Sequence, residues 1–117
     1  MVEEYMKEAE KGARMGEITD KRVKSYISRV KKALGAKVIL FGSRARGEAL
    51  KESDYDLLVI SEEFEGVPLR ERLQGLYGMM IRAPFNADIL AVTPREYEEL
   101  SNKLTIYSEI RKTGVCV

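Results

Sequence analysis

Residues 37–60 read KVILFGSRARGEALKESDYDLLVI and contain two short apolar runs, 38–41 and 57–60. Apolar runs of this length, bounded by Gly, Ser and Asp, are typical of buried strands. Asp54 and Asp56 lead into the second run. Alternate residues of a strand project from the same face, so the two carboxylates should face one way, roughly 6–7 Å apart. Carboxylates this close repel unless a cation lies between them, and magnesium takes one or two carboxylates plus substrate phosphates. The stretch therefore predicts a magnesium site.

The turn after the first run has the residue types of a phosphate-binding loop. Gly42 has no side chain to keep a ligand away from the backbone, and Ser43 offers a hydroxyl beside the N–H groups of the turn. Arg44 and Arg46 follow, and guanidinium groups bind phosphate oxygens bidentately. The other interpretation is an ordinary hairpin with a solvated end and surface arginines. Solvation alone explains poorly why acids directly adjoin a buried strand, so we favour a nucleoside-triphosphate site.

Composition limits the class of protein. The chain has 117 residues, enough for one domain with a core and too few for two. It has no apolar run of membrane-spanning length, and its N-terminus is acidic, unlike a signal peptide, so we expect a cytoplasmic protein without membrane contact. The absence of His excludes His-based metal ligands and Ser-His-Asp triads, which leaves carboxylate chemistry as the main option. The single Cys116 cannot form an internal disulfide and is expected to pack in a strand.

Helices and strands are predicted to alternate along one domain, 1–117. Helices are predicted over 2–15, from the N-cap Asp20 to about Leu34, from Pro68 to about Arg82, from the capping box Thr93 to Glu96 onward, and over about 106–112. Further strands are predicted at 85–92 and, as an edge strand, at 115–117. The expected fold is of the α/β class, a small mixed β-sheet with flanking helices, which we expect on one side of the sheet. An N-terminal helical segment (about 2–34) precedes the core (about 36–92), and C-terminal helices with the edge strand follow (about 93–117).

The sequence allows a further prediction for one face of each of two helices. The helix beginning at Pro68 has an apolar stripe predicted to be buried, formed by Leu69, Leu73, Leu76, Tyr77, Met80 and Ile81. The helix after Asp20 has a basic face made of Lys21, Arg22, Lys24, Arg29, Lys31 and Lys32. This face suits a nucleic-acid or acidic partner, or else it is simply solvated. We favour the solvated face, because the net charge of the whole chain is only +1.

The motif formed by Gly42-Ser43, ten intervening residues and Asp54-Tyr55-Asp56 resembles the signature of the DNA polymerase beta-like nucleotidyltransferase superfamily. Within that superfamily, the short chain looks like a minimal nucleotidyltransferase, the kind paired with a HEPN-domain protein. The resemblance covers about residues 36–92 well and the first thirty-odd residues hardly at all. Its specificity comes from the coincidence of spacing, strand context and apolar flanks.

The resemblance implies a mechanism. Two Mg²⁺ ions, or Mn²⁺, would be bridged by Asp54 and Asp56 and would lie about 3.5–4 Å apart. In this family a third carboxylate on a neighbouring strand completes the site, and Asp88 matches it in kind and order. The alternative for Asp88 is a strand-end aspartate that caps a loop. Gly42 and Ser43 would hold the phosphates of ATP or another nucleoside triphosphate, with Arg44 or Arg46 neutralising the leaving pyrophosphate.

The resemblance also implies an acceptor. The expected reaction transfers AMP to a hydroxyl of a HEPN-domain toxin, which would make this chain the antitoxin of a two-gene module, in a homo- or hetero-oligomer. Nucleic acid is not expected as the direct acceptor, because the chain has no room for the added domains that hold it. Two other classes stay open. One is a binding module that neutralises its partner by contact alone, and the other is a small-molecule nucleotidyltransferase of the antibiotic-modifying type.

Overall fold

The computed structural model describes residues 18–45, 54–103 and 105–117. The predicted helix over 2–15 lies outside these ranges, and so does the predicted phosphate ligand Arg46. The described elements are, in chain order, α1 (Lys21–Leu34), β1 (Lys37–Phe41), β2 (Tyr55–Ile60), a short 3-10 helix (Glu62–Phe64), α2 (Leu69–Gly78), β3 (Ala87–Val92), α3 (Pro94–Ser101), α4 (Ile106–Thr113) and β4 (Val115–Cys116). None of the helices in these ranges has the length and apolar character needed to cross a bilayer.

The first helix forms as its sequence predicts. The side chain of Asp20 accepts a hydrogen bond from the backbone N–H of Arg22 at 2.9 Å, which caps α1 at its N-terminus. Gly35 ends the helix in the left-handed conformation, with φ of 57°. The buried face of α1 consists of Val23, Tyr26, Ile27 and Val30.

Four strands form one mixed sheet in the order β3-β2-β1-β4. β1 pairs antiparallel with β2 and with β4, whereas β2 pairs parallel with β3. The mixed sheet and the final edge strand are therefore confirmed. A parallel pair needs a crossover connection, and α2 lies in the crossover between β2 and β3.

Helices cover both faces of the sheet, so the expectation that they lie on one side was wrong. One face packs with α1 and α2 and contributes Val38, Leu40, Leu57 and Val59 to a first core. The other face packs with α3 and α4 and contributes Ile39, Phe41, Leu58 and Ile60 to a second core. The cause is in the sequence of β1 and β2: their apolar runs are continuous rather than alternating, so both faces of each strand must be covered.

The helix predicted from Pro68 to about Arg82 is shorter than expected. Pro68 is its N-cap, and it ends at Gly78. Glycine is the poorest helix former after proline, and beyond Gly78 the chain continues in turns such as the one in which Ala83 N–H donates to Met80 O at 3.1 Å.

Half of the apolar stripe predicted for this helix is exposed. Leu69 is 56% exposed, Tyr77 39% and Ile81 75%, whereas Leu76 and Met80 are buried. The difference arises because α2 packs beside β3, the outermost strand of the described sheet, and not over the sheet centre.

Part of the basic face of α1 bonds within the fold. Arg22 donates to Pro84 O at 2.9 Å, Arg29 to Met79 O at 2.6 Å and Lys31 to Val117 O at 3.0 Å. These donors tie α1 to the segment after α2 and to the C-terminus. These cations therefore form hydrogen bonds within the fold, which neither the nucleic-acid nor the solvated interpretation of the basic face included.

Arg72 of α2 contacts Glu96 of α3 near the end of β3, and so connects helices that lie on opposite faces of the sheet. Its side chain is only 9% exposed, and its guanidinium donates to both carboxylate oxygens of Glu96, at 2.6 and 3.2 Å, and to Ala91 O at 3.1 Å. Glu96 also completes the predicted capping box, because it accepts from Thr93 N–H while Thr93 caps Glu96 N–H. The hydrogen bond from Arg72 lowers the pKa of Glu96 below its ordinary value.

The Glu96→Gln substitution should reduce the free energy of unfolding at pH 7 by about 1 kcal/mol, the upper end for a solvent-accessible pair. Because the pKa of Glu96 is lower in the folded than in the unfolded protein, this stabilisation is present above the unfolded pKa and is lost as pH falls through the folded pKa. Urea unfolding of both proteins at pH 7 and near pH 3 measures the effect. The difference should shrink at the lower pH, and Glu99→Gln, at an exposed position on α3, is the matched control. A difference independent of pH would contradict the assignment.

Candidate active site

Strand directions bring the predicted site residues to one end of the sheet. β1 ends at Phe41, whose partner in β2 is Asp56, and Asp56 in turn pairs with Asp88 of β3. Because β1 runs opposite to β2 and β3, the end of β1 meets the beginnings of the other two strands. The Gly42-Ser43 turn therefore adjoins Asp56 and lies at the same end of the sheet as Asp88.

Asp56 and Asp88 are in register on neighbouring parallel strands. Each is the second residue of its strand, and in-register partners project from the same face of a sheet. Adjacent strands lie about 4.8 Å apart, so the two carboxylates are neighbours. Asp56 is half-buried and Asp88 is exposed, so the pair is open to solvent on the side of β3.

Asp54 lies just before its strand, whereas the other two aspartates lie within theirs. It precedes β2, is exposed, and by strand alternation belongs to the side of Asp56. Among the described residues, no three acidic, cysteine or histidine side chains are gathered as a metal site. The role of Asp54 as a bridging ligand remains a prediction.

Gly42 is required by the carboxylate of Asp56. Its φ is 76°, a conformation that residues with side chains rarely adopt. A Cβ atom at this position would overlap Oδ2 of Asp56 and would lie 3.1 Å from its Cγ. We expected Gly42 to admit a phosphate, and the structure adds a second reason, which is that the Asp56 carboxylate lies directly against the Gly42 backbone.

Ser43 and Arg44 continue the turn, and both are half-buried. The Arg44 guanidinium carbon lies 3.9 Å from the centroid of the Tyr55 ring, a cation–π contact. Tyr55 belongs to the core on the α1 side of the sheet, where its ring also meets Phe85 edge-on. Phosphate binding by Ser43 and Arg44 remains a prediction, as it does for Arg46.

The pair formed by Asp56 and Asp88 suits a magnesium ion by its donor chemistry. Both are hard oxygen donors on adjacent strands, and magnesium typically combines one or two carboxylates with phosphate oxygens and water. A nucleoside triphosphate bound at the adjacent turn would supply the remaining oxygens. The residues present therefore fit a divalent cation that binds together with its nucleotide.

One contact at the site has no signal in the sequence. The Tyr77 hydroxyl donates to Ala87 O at 3.0 Å and accepts from Ile89 N–H at 3.3 Å, so it bonds the residues on both sides of Asp88. The spacing of α2 indicated only that Tyr77 was part of an apolar stripe.

The Gly42→Ala substitution should displace the Asp56 carboxylate and force a strained φ. We expect the loss in the free energy of unfolding to exceed the roughly 1–3 kcal/mol that a residue held in a disfavoured conformation costs by itself. Chemical denaturation measures this loss. Gly66→Ala is the matched control, because Gly66 also has a positive φ, 75°, but an added Cβ would meet nothing within 4 Å. Equal losses in the two variants would show that backbone strain alone is responsible and that the carboxylate contact contributes nothing.

Comparison with known proteins identifies the family. A family model described as a nucleotidyltransferase domain matches residues 21–116. Two proteins of Methanocaldococcus jannaschii are each described as a candidate protein adenylyltransferase. MJ0141 is 34% identical over 95 residues, which are 81% of this chain and 91% of its own length. MJ0604 is 35% identical over 89 residues, in an alignment that covers 72% of this chain and 79% of the length of MJ0604.

A third relative and one solved structure are also similar to this chain. The candidate protein adenylyltransferase MntA of Haemophilus influenzae is 37% identical over 76 residues, in an alignment that covers 62% of this chain and 66% of that protein's length. The crystal structure of a candidate nucleotidyltransferase from Sulfolobus solfataricus shares the fold, with a TM-score of 0.57 at 24% identity over 82% of this chain and 76% of that one. The family match spans both aspartate strands and the Gly42-Ser43 turn, and the chain belongs to the nucleotidyltransferase domain family.

Proposed function

We propose that this protein is a metal-dependent nucleotidyltransferase that transfers AMP from ATP to a hydroxyl group of a protein. The observation that carries the proposal is the in-register pair Asp56 and Asp88 beside the Gly42-Ser43 turn. The descriptions of the relatives as candidate protein adenylyltransferases support ATP as the donor and a protein as the acceptor.

The proposed reaction divides the work among the residues at the end of the sheet. The Gly42-Ser43 turn binds the β- and γ-phosphates through backbone N–H groups and the serine hydroxyl. Asp56 and Asp88 would hold a magnesium ion, which would neutralise phosphate charge and lower the pKa of the attacking hydroxyl. Asp88, exposed on the outer strand, orients the acceptor and receives its proton. The acceptor oxygen bonds to the α-phosphorus while the bond from that phosphorus to the β-phosphate oxygen breaks, releasing pyrophosphate.

The acceptor that we propose is a HEPN-domain toxin, with the two proteins acting together in the cytoplasm as a toxin–antitoxin pair. This choice rests on the resemblance of the Gly42–Asp56 motif to minimal nucleotidyltransferases. Modification of the toxin by AMP would then be the means of neutralisation.

A second candidate is a module that binds its partner by contact alone. It is favoured by the exposed apolar side chains of α2 and the segment after it, Leu69 and Ile81. Ile81 also lines a surface cavity of about 400 Å³ together with Arg29, Gly78, Met79 and Arg82. An apolar surface with cationic neighbours suits protein contact, whether or not AMP is transferred.

Transfer of label separates the two candidates. The wild-type protein, incubated with magnesium, ATP labelled at the α-phosphate and a purified HEPN-domain protein, should label that protein. Asp88→Asn should slow transfer by at least about a hundredfold, the usual range for a positioned acid–base group. Binding of ATP, measured by calorimetry, should change much less, because Asp56 and the turn remain.

Glu62→Gln is the control for the loss of a carboxylate, since exposed Glu62 lies beyond the opposite end of β2. A stable complex without label would favour the contact module. Label on a small molecule but on neither protein would favour the antibiotic-modifying class. In cells, full neutralisation of the toxin by Asp88→Asn would overturn transfer as the mechanism.

Metal binding gives a test that needs no acceptor. Mutual repulsion of the Asp56 and Asp88 carboxylates should be relieved by a divalent cation. Magnesium or manganese with ATP should therefore raise the melting temperature, by about 5 °C at roughly ten times the dissociation constant. Asp56→Asn should shrink this shift markedly. A wild-type protein that is indifferent to millimolar cation, with and without ATP, would contradict the proposed site.

A further inference from the structure

Asp88 lies on a strand that has only one neighbour in the described sheet. Asn86 O accepts from Tyr55 N–H and Val92 O from Ser61 N–H, each at 3.0 Å, so the even-numbered residues of β3 direct their backbone groups toward β2. The odd-numbered residues, Ala87 and Ile89 among them, direct theirs toward the open edge. An edge strand held from one side is the least constrained part of a sheet.

Side chains of α2 occupy this open edge. The Tyr77 hydroxyl bridges Ala87 O and Ile89 N–H, at 3.0 and 3.3 Å. Arg72 donates to Ala91 O at 3.1 Å. Tyr77 thus hydrogen-bonds the two residues that flank Asp88, whereas Arg72 hydrogen-bonds the strand near its other end.

Tyr77 is itself held in place through the residue before it. Leu76 is buried, and its carbonyl oxygen accepts a hydrogen bond of 2.7 Å from the hydroxyl of Tyr26. Burial raises the pKa of Tyr26, so this hydroxyl stays protonated and remains a donor. The peptide group that joins Leu76 to Tyr77 is therefore fixed by the first core, although the Tyr77 side chain is 39% exposed.

We infer that Tyr77 is a positioning residue for Asp88. Its hydroxyl fixes the backbone on both sides of Asp88, on the edge that β2 cannot reach, and so fixes the direction in which the carboxylate projects. This inference rests on the proposed function, because it assigns Asp88 a ligand and substrate that Tyr77 helps it to meet. The competing explanation is that Tyr77 only blocks the strand edge from pairing with another chain.

A double-mutant cycle distinguishes positioning from edge protection. The variants are Tyr77→Phe, which keeps the ring, Asp88→Asn, and the two combined. The first readout is the Mn²⁺ dissociation constant with α,β-methylene-ATP, measured by electron paramagnetic resonance. We expect Tyr77→Phe to weaken Mn²⁺ binding about three- to tenfold, the range for one or two lost hydrogen bonds, with no further loss when Asp88 is already Asn.

The second readout is amide hydrogen exchange at Ile89, whose N–H bonds directly to Tyr77. Exchange there should become about tenfold faster in Tyr77→Phe while most other amides of the sheet are unchanged. Tyr107→Phe is the matched control, because Tyr107 is a half-buried tyrosine on α4, which contacts β1 and lies on the face of the sheet opposite α2. It should leave both measurements as they are in the wild type.

The outcomes separate the two proposals. Additive losses of Mn²⁺ affinity in the cycle, or unchanged affinity in Tyr77→Phe, would overturn the positioning role while leaving the proposed function intact. A wild-type protein that does not bind Mn²⁺ with the analogue would overturn the proposed function and the role of Tyr77 with it. Coupled losses, with faster exchange confined to the neighbourhood of Ile89, would establish the role.

Discussion

The parallel pairing of β2 with β3 is the constraint on which the rest of the structure depends. Two parallel strands begin at the same end of a sheet, and this register places Asp56 beside Asp88. The connection between them has to cross over, which puts α2 at the edge of β3. Because β1 is antiparallel to β2, its C-terminal turn arrives at the same end. The candidate site is therefore a consequence of strand direction and needs no long loop to assemble it.

The Gly42 backbone and the Asp56 carboxylate lie in close contact. The Asp56 carboxylate occupies the space that a Cβ atom would take, so the turn and the acid cannot be changed independently. A backbone this close to a carboxylate is also the place where phosphate and carboxylate would meet across a cation. Glycine at this position thus satisfies a folding requirement and suits the proposed chemistry at once.

Local signals allowed much of the fold to be predicted from the sequence. The caps at Asp20 and Thr93 and the apolar runs of β1 and β2 each depend on neighbouring residues, and the structure has them where expected. The covering of both sheet faces was predictable from the unbroken apolar runs, but it was not predicted. The course of α2 was not predictable in this way, because its burial depends on which strand it packs beside.

The residues of the candidate site also differ in how well the sequence alone predicts them. The Gly42-Ser43 turn and Asp56 stand out by spacing, whereas Asp88 is a lone acid in an apolar run whose partner is known only from the sheet register. The contact made by Tyr77 is even harder to predict from the sequence. A tyrosine at an apolar helix position looks like a packing residue, and only its contact with a strand ten to twelve residues away shows that the hydroxyl matters.

The position of the two acids along their strands explains how the fold tolerates them. Like charges opposite each other on adjacent strands destabilise a sheet. One step further into the sheet on the same face, the corresponding pair is Leu58 with Leu90, and Leu58 is fully buried. Carboxylates there would have to be neutralised or paired in the core. At the second residue of each strand Asp88 reaches water and Asp56 reaches it in part, so solvent can screen the repulsion between the two carboxylates. The end of the sheet is thus where a pair of acids can be held in register at small cost to stability.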